Sequence, residues 1–261
     1  MISFFNSFSY PMQALIASLF TFFITSLGAS VVFLFKKTNP KVISILIALS
    51  AGIMLAATFW SLLEPSIEMA NKLKMIPWVI TSLGILFGTI FLIFGDKVFT
   101  KYQKEKQKLN KIFILIFSIT LHNIPEGLAI GVAFGSLNYH LDGVTLISAI
   151  SLALGIGIQN FPEGSAISLP LRSYGYSRIK AFLIGIASGL VEPISAVIGA
   201  ILVIKIRYCL PFLLAFAAGA MLYVVIKELI PESMEKEKGT LVPFITIIGF
   251  LVMMILDISI G

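Results

Sequence analysis

An all-α polytopic membrane protein is the fold this sequence predicts, and three observations predict it. The 261 residues are 58% hydrophobic and only 12% charged, with a mean hydropathy of +1.00. The apolar residues gather into eight stretches of roughly 20, the length a helix needs to cross a bilayer's hydrocarbon core. The basic residues fall almost entirely in alternate connections between those stretches. A soluble domain carries about 25% charged residues, so this chain has too little polar surface to cover a water-soluble globule. That excludes a soluble enzyme, a nucleic-acid binder and a disordered scaffold. The single cysteine, Cys209, excludes an internal disulfide and a thiolate metal cluster.

The stretches are about 12–35, 43–63, 77–95, 112–134, 144–169, 179–204, 211–229 and 241–258. Together they use up nearly the whole chain, so residues 1–261 read as a single eight-helix transmembrane domain. No Lys or Arg precedes the first stretch and no small-residue cleavage site follows it, so it reads as a span and not as a secretory signal. All of the 19 Lys and Arg except Lys72, Lys74, Lys205 and Arg207 lie in the segments 36–42, 96–111, 170–180 and 227–240. The positive-inside rule places those segments in the cytoplasm and both termini outside. The longest, 96–111, reads as a solvated basic linker at the lipid headgroups.

Three acidic residues stand where a membrane protein should avoid them. Glu126, Glu163 and Glu192 fall well inside spans four, five and six. Each would cost roughly 2.5–3.5 kcal/mol at mid-bilayer on the most forgiving scale. No intramembrane Lys or Arg lies near them in sequence, so a proton or a metal cation is the natural neutralising partner. Span four reads His122-Asn123-Ile124-Pro125-Glu126-Gly127, and span five reads Gln159-Asn160-Phe161-Pro162-Glu163-Gly164. The first polar residue and the Glu are four apart in each copy, so they share a helix face. Each proline removes one backbone hydrogen bond and frees a carbonyl, that of Leu121 or Ile158. One imidazole, three carboxylates and several amide oxygens form a mixed nitrogen–oxygen donor set. It suits Zn²⁺, Cd²⁺, Fe²⁺ or Mn²⁺, and neither Cu(I) nor Ca²⁺.

On these motifs the sequence resembles the ZIP (Zrt/Irt-like) divalent metal transporters, most closely their prokaryotic GufA-like branch. The resemblance covers the whole chain. It implies a ZIP-like bundle whose Pro-kinked helices four and five carry the metal site, and a homodimer in the cell (plasma) membrane. It implies that His122, Glu126, Gln159 and Glu163 form a primary site. Asn123, Asn160 and Glu192 would line a second, with Glu126 and Glu163 bridging, so that one or two ions bind. Asn160 stands where better-known members have Asp, which weakens the second site. Lys227 precedes Glu228 where a His commonly marks the inner exit, and a protonated lysine cannot ligate a cation.

The expected function is therefore import of Zn²⁺, or of another divalent transition metal, by alternating access around a mid-membrane site. The chain is expected to have the lipid bilayer as its surroundings, no nucleic-acid partner and no enzymatic activity. A selective metal channel would need the same ligands. An intramembrane metalloenzyme fits less well, because HNxPEG is not HExxH and no third His or dedicated general base appears. Further candidates lie at the span ends. Glu64, Glu68 and, by family analogy, Ser61 are placed at the outer mouth, and Glu228 and Glu232 at the inner exit. Asp257 reads as an ordinary span-end charge, Glu235 and Glu237 as solvated loop, and His140 as a bystander.

Overall fold

The computed structural model describes residues 5, 7–34, 40–102, 107–139, 145–236 and 239–260, and among them every regular element is a helix. His140 and Glu237 lie outside the described residues, as does the side chain of His122, whose backbone is helical. In chain order the helices are α1 (Tyr10–Ser30), α2 (Pro40–Ala57), α3 (Glu64–Lys72), α4 (Pro77–Tyr102) and α5 (Gln107–Ser136). They continue with α6 (Leu146–Ser173), α7 (Arg178–Gly189), α8 (Val191–Ile201), α9 (Val203–Val224), α10 (Ile230–Lys236) and α11 (Leu241–Ile260). Local chemistry sets several starts. Pro11 opens α1, where its missing N–H has no intrahelical partner to lose. A Thr145–Ser148 capping box opens α6, and the Ser177 side chain caps α7.

Among the described residues six helical segments are long and apolar enough to cross a membrane: Tyr10–Leu34, Lys41–Lys72, Pro77–Lys97, Arg178–Ile201, Val203–Glu235 and Leu241–Ser259. The other two long helices, α5 and α6, are the ones that carry the duplicated polar motif. Gln159, Asn160 and Glu163 dilute the apolar content of α6.

Three differences from the expected spans position the site. Span six is not one helix. It breaks at Leu190, and α8 begins with Glu192 in its first turn. Spans two and seven each contain a π-helical turn, at Thr58–Leu63 and Val225–Leu229, a local widening of the helix often found at functional positions. The basic segment 96–111 is helical over much of its length, because α4 runs to Tyr102 and α5 starts at Gln107. Lys and Gln are good helix formers, so these helices outrun their apolar stretches. The same holds for α9, which starts at Val203 and carries Lys205 and Arg207. Pro125 and Pro162 sit inside continuous helices.

The helices pack as two groups. In one, α1 lies along α6 and α5 lies along α8, with α7 against both α1 and α6. In the other, α11 lies along α2 and α4 along α9, with α3 and α10 attached. The groups meet mainly where α5 crosses α9 and where α2 crosses α6. Small residues separate the two kinds of interface. Within the groups, a Cβ on Gly28 or Gly164 would collide with backbone across the α1–α6 contact, and one on Gly88 or Gly219 would do so across α4–α9. Gly131 and Gly52 are equally tight against α8 and α11. Close backbone approach through glycine is the usual way membrane helices gain dispersion contact. Across the seam the contacts are looser: a Cβ on Gly95 or Gly155 would meet the other group only at 3.8 Å.

Candidate functional site

Glu126, Gln159, Asn160, Glu163 and Glu192 are each 0% exposed, as is Asn123. Three helices bring them together. The motif face of α5 supplies Asn123 and Glu126, that of α6 supplies Gln159, Asn160 and Glu163, and the first turn of α8 supplies Glu192. Gly127 allows this convergence, because any side chain there would collide with the Glu192 carbonyl and the Ser195 hydroxyl.

The polar atoms are arranged in chains. Gln159 Nε2 donates to Glu126 Oε1, linking α6 to α5. Asn160 Nδ2 donates to Glu192 Oε2 at 2.8 Å, linking α6 to α8. Thr21 Oγ1 of α1 donates to the other Glu192 oxygen at 2.6 Å. Asn123 Nδ2 donates to the Ser188 backbone carbonyl at 3.2 Å, where α7 ends. Glu163 lies about one turn beyond the two amides on α6.

Each of these amides spends its N–H on a neighbour, and the carbonyl oxygens of Asn123, Gln159 and Asn160 are buried without a hydrogen-bond partner. Burying an amide oxygen unsatisfied costs roughly 1–3 kcal/mol. Three such oxygens beside buried carboxylates are what a cation would satisfy. Among the described residues no three His, Cys, Asp or Glu side chains alone form a metal-holding group.

A family model described as ZIP Zinc transporter matches residues 12–112 and 105–257. The chain belongs to the ZIP zinc transporter family. Zinc transporter ZIP11 of Xenopus tropicalis is 35% identical over 98% of this chain and 99% of its own length. Zinc transporter GufA of Myxococcus xanthus is 34% identical over 95% of this chain and 98% of its own, which supports the GufA-like branch. Zinc transporter ZIPB of Bordetella bronchiseptica is 32% identical over 92% of this chain and 79% of its own. Members of the ZIP family are transporters and not enzymes, and this one is a multi-pass membrane protein.

Two further features of this ZIP protein flank the buried cluster. At one end an open cavity of about 690 Å³ is lined by Trp60, Ser61, Glu64, Glu68 and Asp257, and it reaches down to Ile158 and Met253, beside Gln159. Ser61 donates to Asp257 Oδ1 at 3.2 Å. Asp257 is thus part of the cavity wall with Ser61 and Glu64, at the end of its span.

At the opposite end Lys227 pairs with Asp96 of α4, and its ammonium also lies 3.9 Å from Glu228 and 5.1 Å from the Tyr223 ring centre. Beyond it, Tyr174 Oη, following α6, donates to Glu232 of α10 at 3.3 Å, a bond that crosses the seam. Burial, then the nearby charges of Glu232, Glu235 and Glu228, push the Tyr174 phenol up to about 12, so it remains a donor at physiological pH.

Sequence reasoning missed Thr21, the Asp96 partner of Lys227 and the helix break before Glu192. A signal for Thr21 existed. Ser18, Thr21 and Thr25 recur at helical spacing on α1, and all three are 0% exposed. Such a stripe of hydroxyls in an apolar span marks a face turned toward protein and away from lipid.

Proposed function

We propose that this ZIP protein imports divalent transition-metal cations, Zn²⁺ first and Cd²⁺, Fe²⁺ or Mn²⁺ with it, toward the cytoplasm by alternating access. One observation carries the reading: the cluster of buried carboxylates and partnerless amide oxygens that α5, α6 and α8 bring together. Zinc is the metal in the printed names of all three relatives above. The cargo site is lined by His122, Asn123, Glu126, Gln159, Asn160, Glu163 and Glu192, whether each touches the ion or holds a neighbour that does. Carboxylates, amide oxygens and an imidazole together suit a borderline dication.

In this reading α5 and α6 are spans like the other six, which makes eight, with both termini outside the cell membrane. The positive-inside orientation then turns the Glu64–Asp257 cavity outward and the Lys227 and Tyr174 end toward the cytoplasm. Glu64, Glu68 and Asp257 gather cations at the mouth. Ile158 and Met253 form the layer beneath it. The Tyr174–Glu232 bond, the Lys227–Asp96 pair and the apolar packing around Leu171 and Leu229 close the inner side. Glycine-tight contacts hold each helix group together, while the looser seam lets one group shift against the other and carry the site between faces. A homodimer, which the ZIP resemblance implies, would anchor one group against its copy.

Flux of zinc and cadmium into proteoliposomes tests this. Saturable uptake in the wild type, lost in His122→Ala and in Glu163→Ala, is the expected result. A non-saturating flux at channel rates would replace the carrier with a pore. No flux from folded, inserted protein would end the reading. Because His122 must be neutral and the carboxylates ionised to ligate, uptake is expected to weaken as pH falls from about 7.5 to about 5. A flat profile would break this ligand assignment.

A further inference from the structure

We infer that Thr21 and Glu192 are positioning residues, which hold the Asn160 amide so that its carbonyl oxygen faces the cargo, and that Glu192 is not itself a cargo ligand. This rests on the reading of the buried cluster as the cargo site.

The argument begins with the Thr21 hydroxyl, which has one hydrogen and two acceptors in reach. Glu192 Oε1 lies at 2.6 Å and the Ser18 carbonyl at 2.9 Å. The shorter distance gives the hydrogen to the carboxyl oxygen. The second Glu192 oxygen takes the Asn160 Nδ2 hydrogen at 2.8 Å. Both ends of the carboxylate are therefore tied, one to α1 and one to α6. All three side chains are 0% exposed, so no water competes for these bonds.

The backbone beneath is fixed as well. Glu192 stands in the first turn of α8, and α5 lies against its carbonyl through Gly127. An amide whose nitrogen is held has its oxygen on the opposite side. Asn160 Oδ1 is that oxygen, and it is buried with no hydrogen-bond partner. Donation from an amide N–H to a carboxylate also polarises the amide and makes its carbonyl a better electron donor.

Gln159, next along α6, is arranged in the same way. Its nitrogen donates to Glu126, and its Oε1 is likewise without a partner. The two adjacent amides differ in what stands behind them. Glu126 lies inside the motif, whereas Glu192 is braced by a threonine from a helix that carries no motif residue. The chain Thr21–Glu192–Asn160 thus delivers the effect of a carboxylate to the cargo through an amide oxygen. A site built this way holds one ion.

The test uses the full-length chain with zinc as the only probe, in detergent for binding and in proteoliposomes for uptake. Thr21→Val removes the hydroxyl at nearly constant volume, and Thr21→Ser keeps it. Losing the support behind a ligand is expected to raise the half-saturation for zinc about tenfold in Thr21→Val, with the maximal rate little changed. Thr21→Ser is expected to restore the wild-type value. Glu192→Gln is expected to show the same rise, while wild type and all three variants bind one zinc per chain.

Wild-type half-saturation in folded Thr21→Val and Glu192→Gln overturns the proposal. So does a stoichiometry of two that falls to one in Glu192→Gln, since that makes Glu192 a ligand. Glu163→Ala separates the two readings. If it abolishes uptake while Thr21→Val behaves as wild type, only the positioning role fails. If it transports like wild type, the cargo site itself is wrong and this proposal falls with it.

Discussion

The two copies of the polar-Asn-apolar-Pro-Glu-Gly motif are nearly the same in sequence and differ in what they touch. In the α5 copy, Asn123 gives its N–H to a backbone carbonyl, that of Ser188. In the α6 copy, the matching Asn160 gives its N–H to a carboxylate, that of Glu192. The two glycines diverge in the same way. Gly127 seats α5 against α8, and Gly164 seats α6 against α1. A repeated motif thus fixes which side chains reach the centre, and the helix packed behind each copy decides their electrostatics. The α5 copy is backed by peptide groups. The α6 copy is backed by a second carboxylate and a hydroxyl.

The largest effect that tests this contrast is Glu163→Ala. It removes the motif carboxylate of α6, and zinc uptake is expected to be lost to background in the liposome assay. Next come the paired substitutions Asn160→Asp and Asn123→Asp. At 160 the change trades a donor for a second carboxylate facing Glu192, an arrangement that a further cation would satisfy. Zinc bound per chain should rise from one to two by equilibrium titration. At 123 the new carboxylate faces the Ser188 carbonyl with no donor between them. No second ion is expected, and the cost is about 1–3 kcal/mol of stability, read as a lower melting temperature. Equal behaviour of the two variants would show that the motif copies are equivalent after all.

A smaller pair of changes probes the two kinds of helix interface. Gly131→Ala pushes a methyl into the α8 backbone and is expected to cost about 1–3 kcal/mol by thermal unfolding. Gly155→Ala faces the seam, where the nearest atom is Asp257 Oδ1 at 3.8 Å, and should leave the melting temperature unchanged. If Gly155→Ala destabilised as much as Gly131→Ala, the seam would be as rigid as the interfaces inside the groups.

The smallest expected effect is that of Tyr174→Phe, which removes the bond to Glu232 across the seam. The bond to the Glu232 carboxylate is long, at 3.3 Å, and only part-buried, so its loss should cost about 1 kcal/mol or less. The pH dependence has a definite sign. The Tyr174 phenol is raised to about 12, so its contribution to stability is complete below pH 10, its ordinary value, and is lost as pH rises through about 12. Alkaline melts of wild type and Tyr174→Phe should converge above that range.

Much of this was legible in the sequence, for particular reasons. Intramembrane Glu126, Glu163 and Glu192 are so costly in lipid that their presence alone announced a buried polar centre. Helical spacing then put Gln159 and Glu163 on one face. The pairing of Asp257 with Ser61 was not legible, because the two lie 196 positions apart in sequence and on different helices. Thr21 was passed over because one hydroxyl in a span costs little and usually bonds to its own helix.

The sequence by itself determined that the chain lives in a membrane, which side chains must be withdrawn from lipid and which residue types are available to a cation. Those follow from transfer free energies and helical periodicity, which act residue by residue. Only the tertiary structure decided which donor faces which acceptor: Gln159 toward Glu126, Asn160 toward Glu192, Thr21 behind them, and Lys227 against Asp96 more closely than against Glu228. Such pairings depend on how helices distant in sequence cross, and glycines such as Gly127 and Gly164 set those crossings by allowing backbones to touch. Periodicity along one helix carries no information about the neighbour it meets.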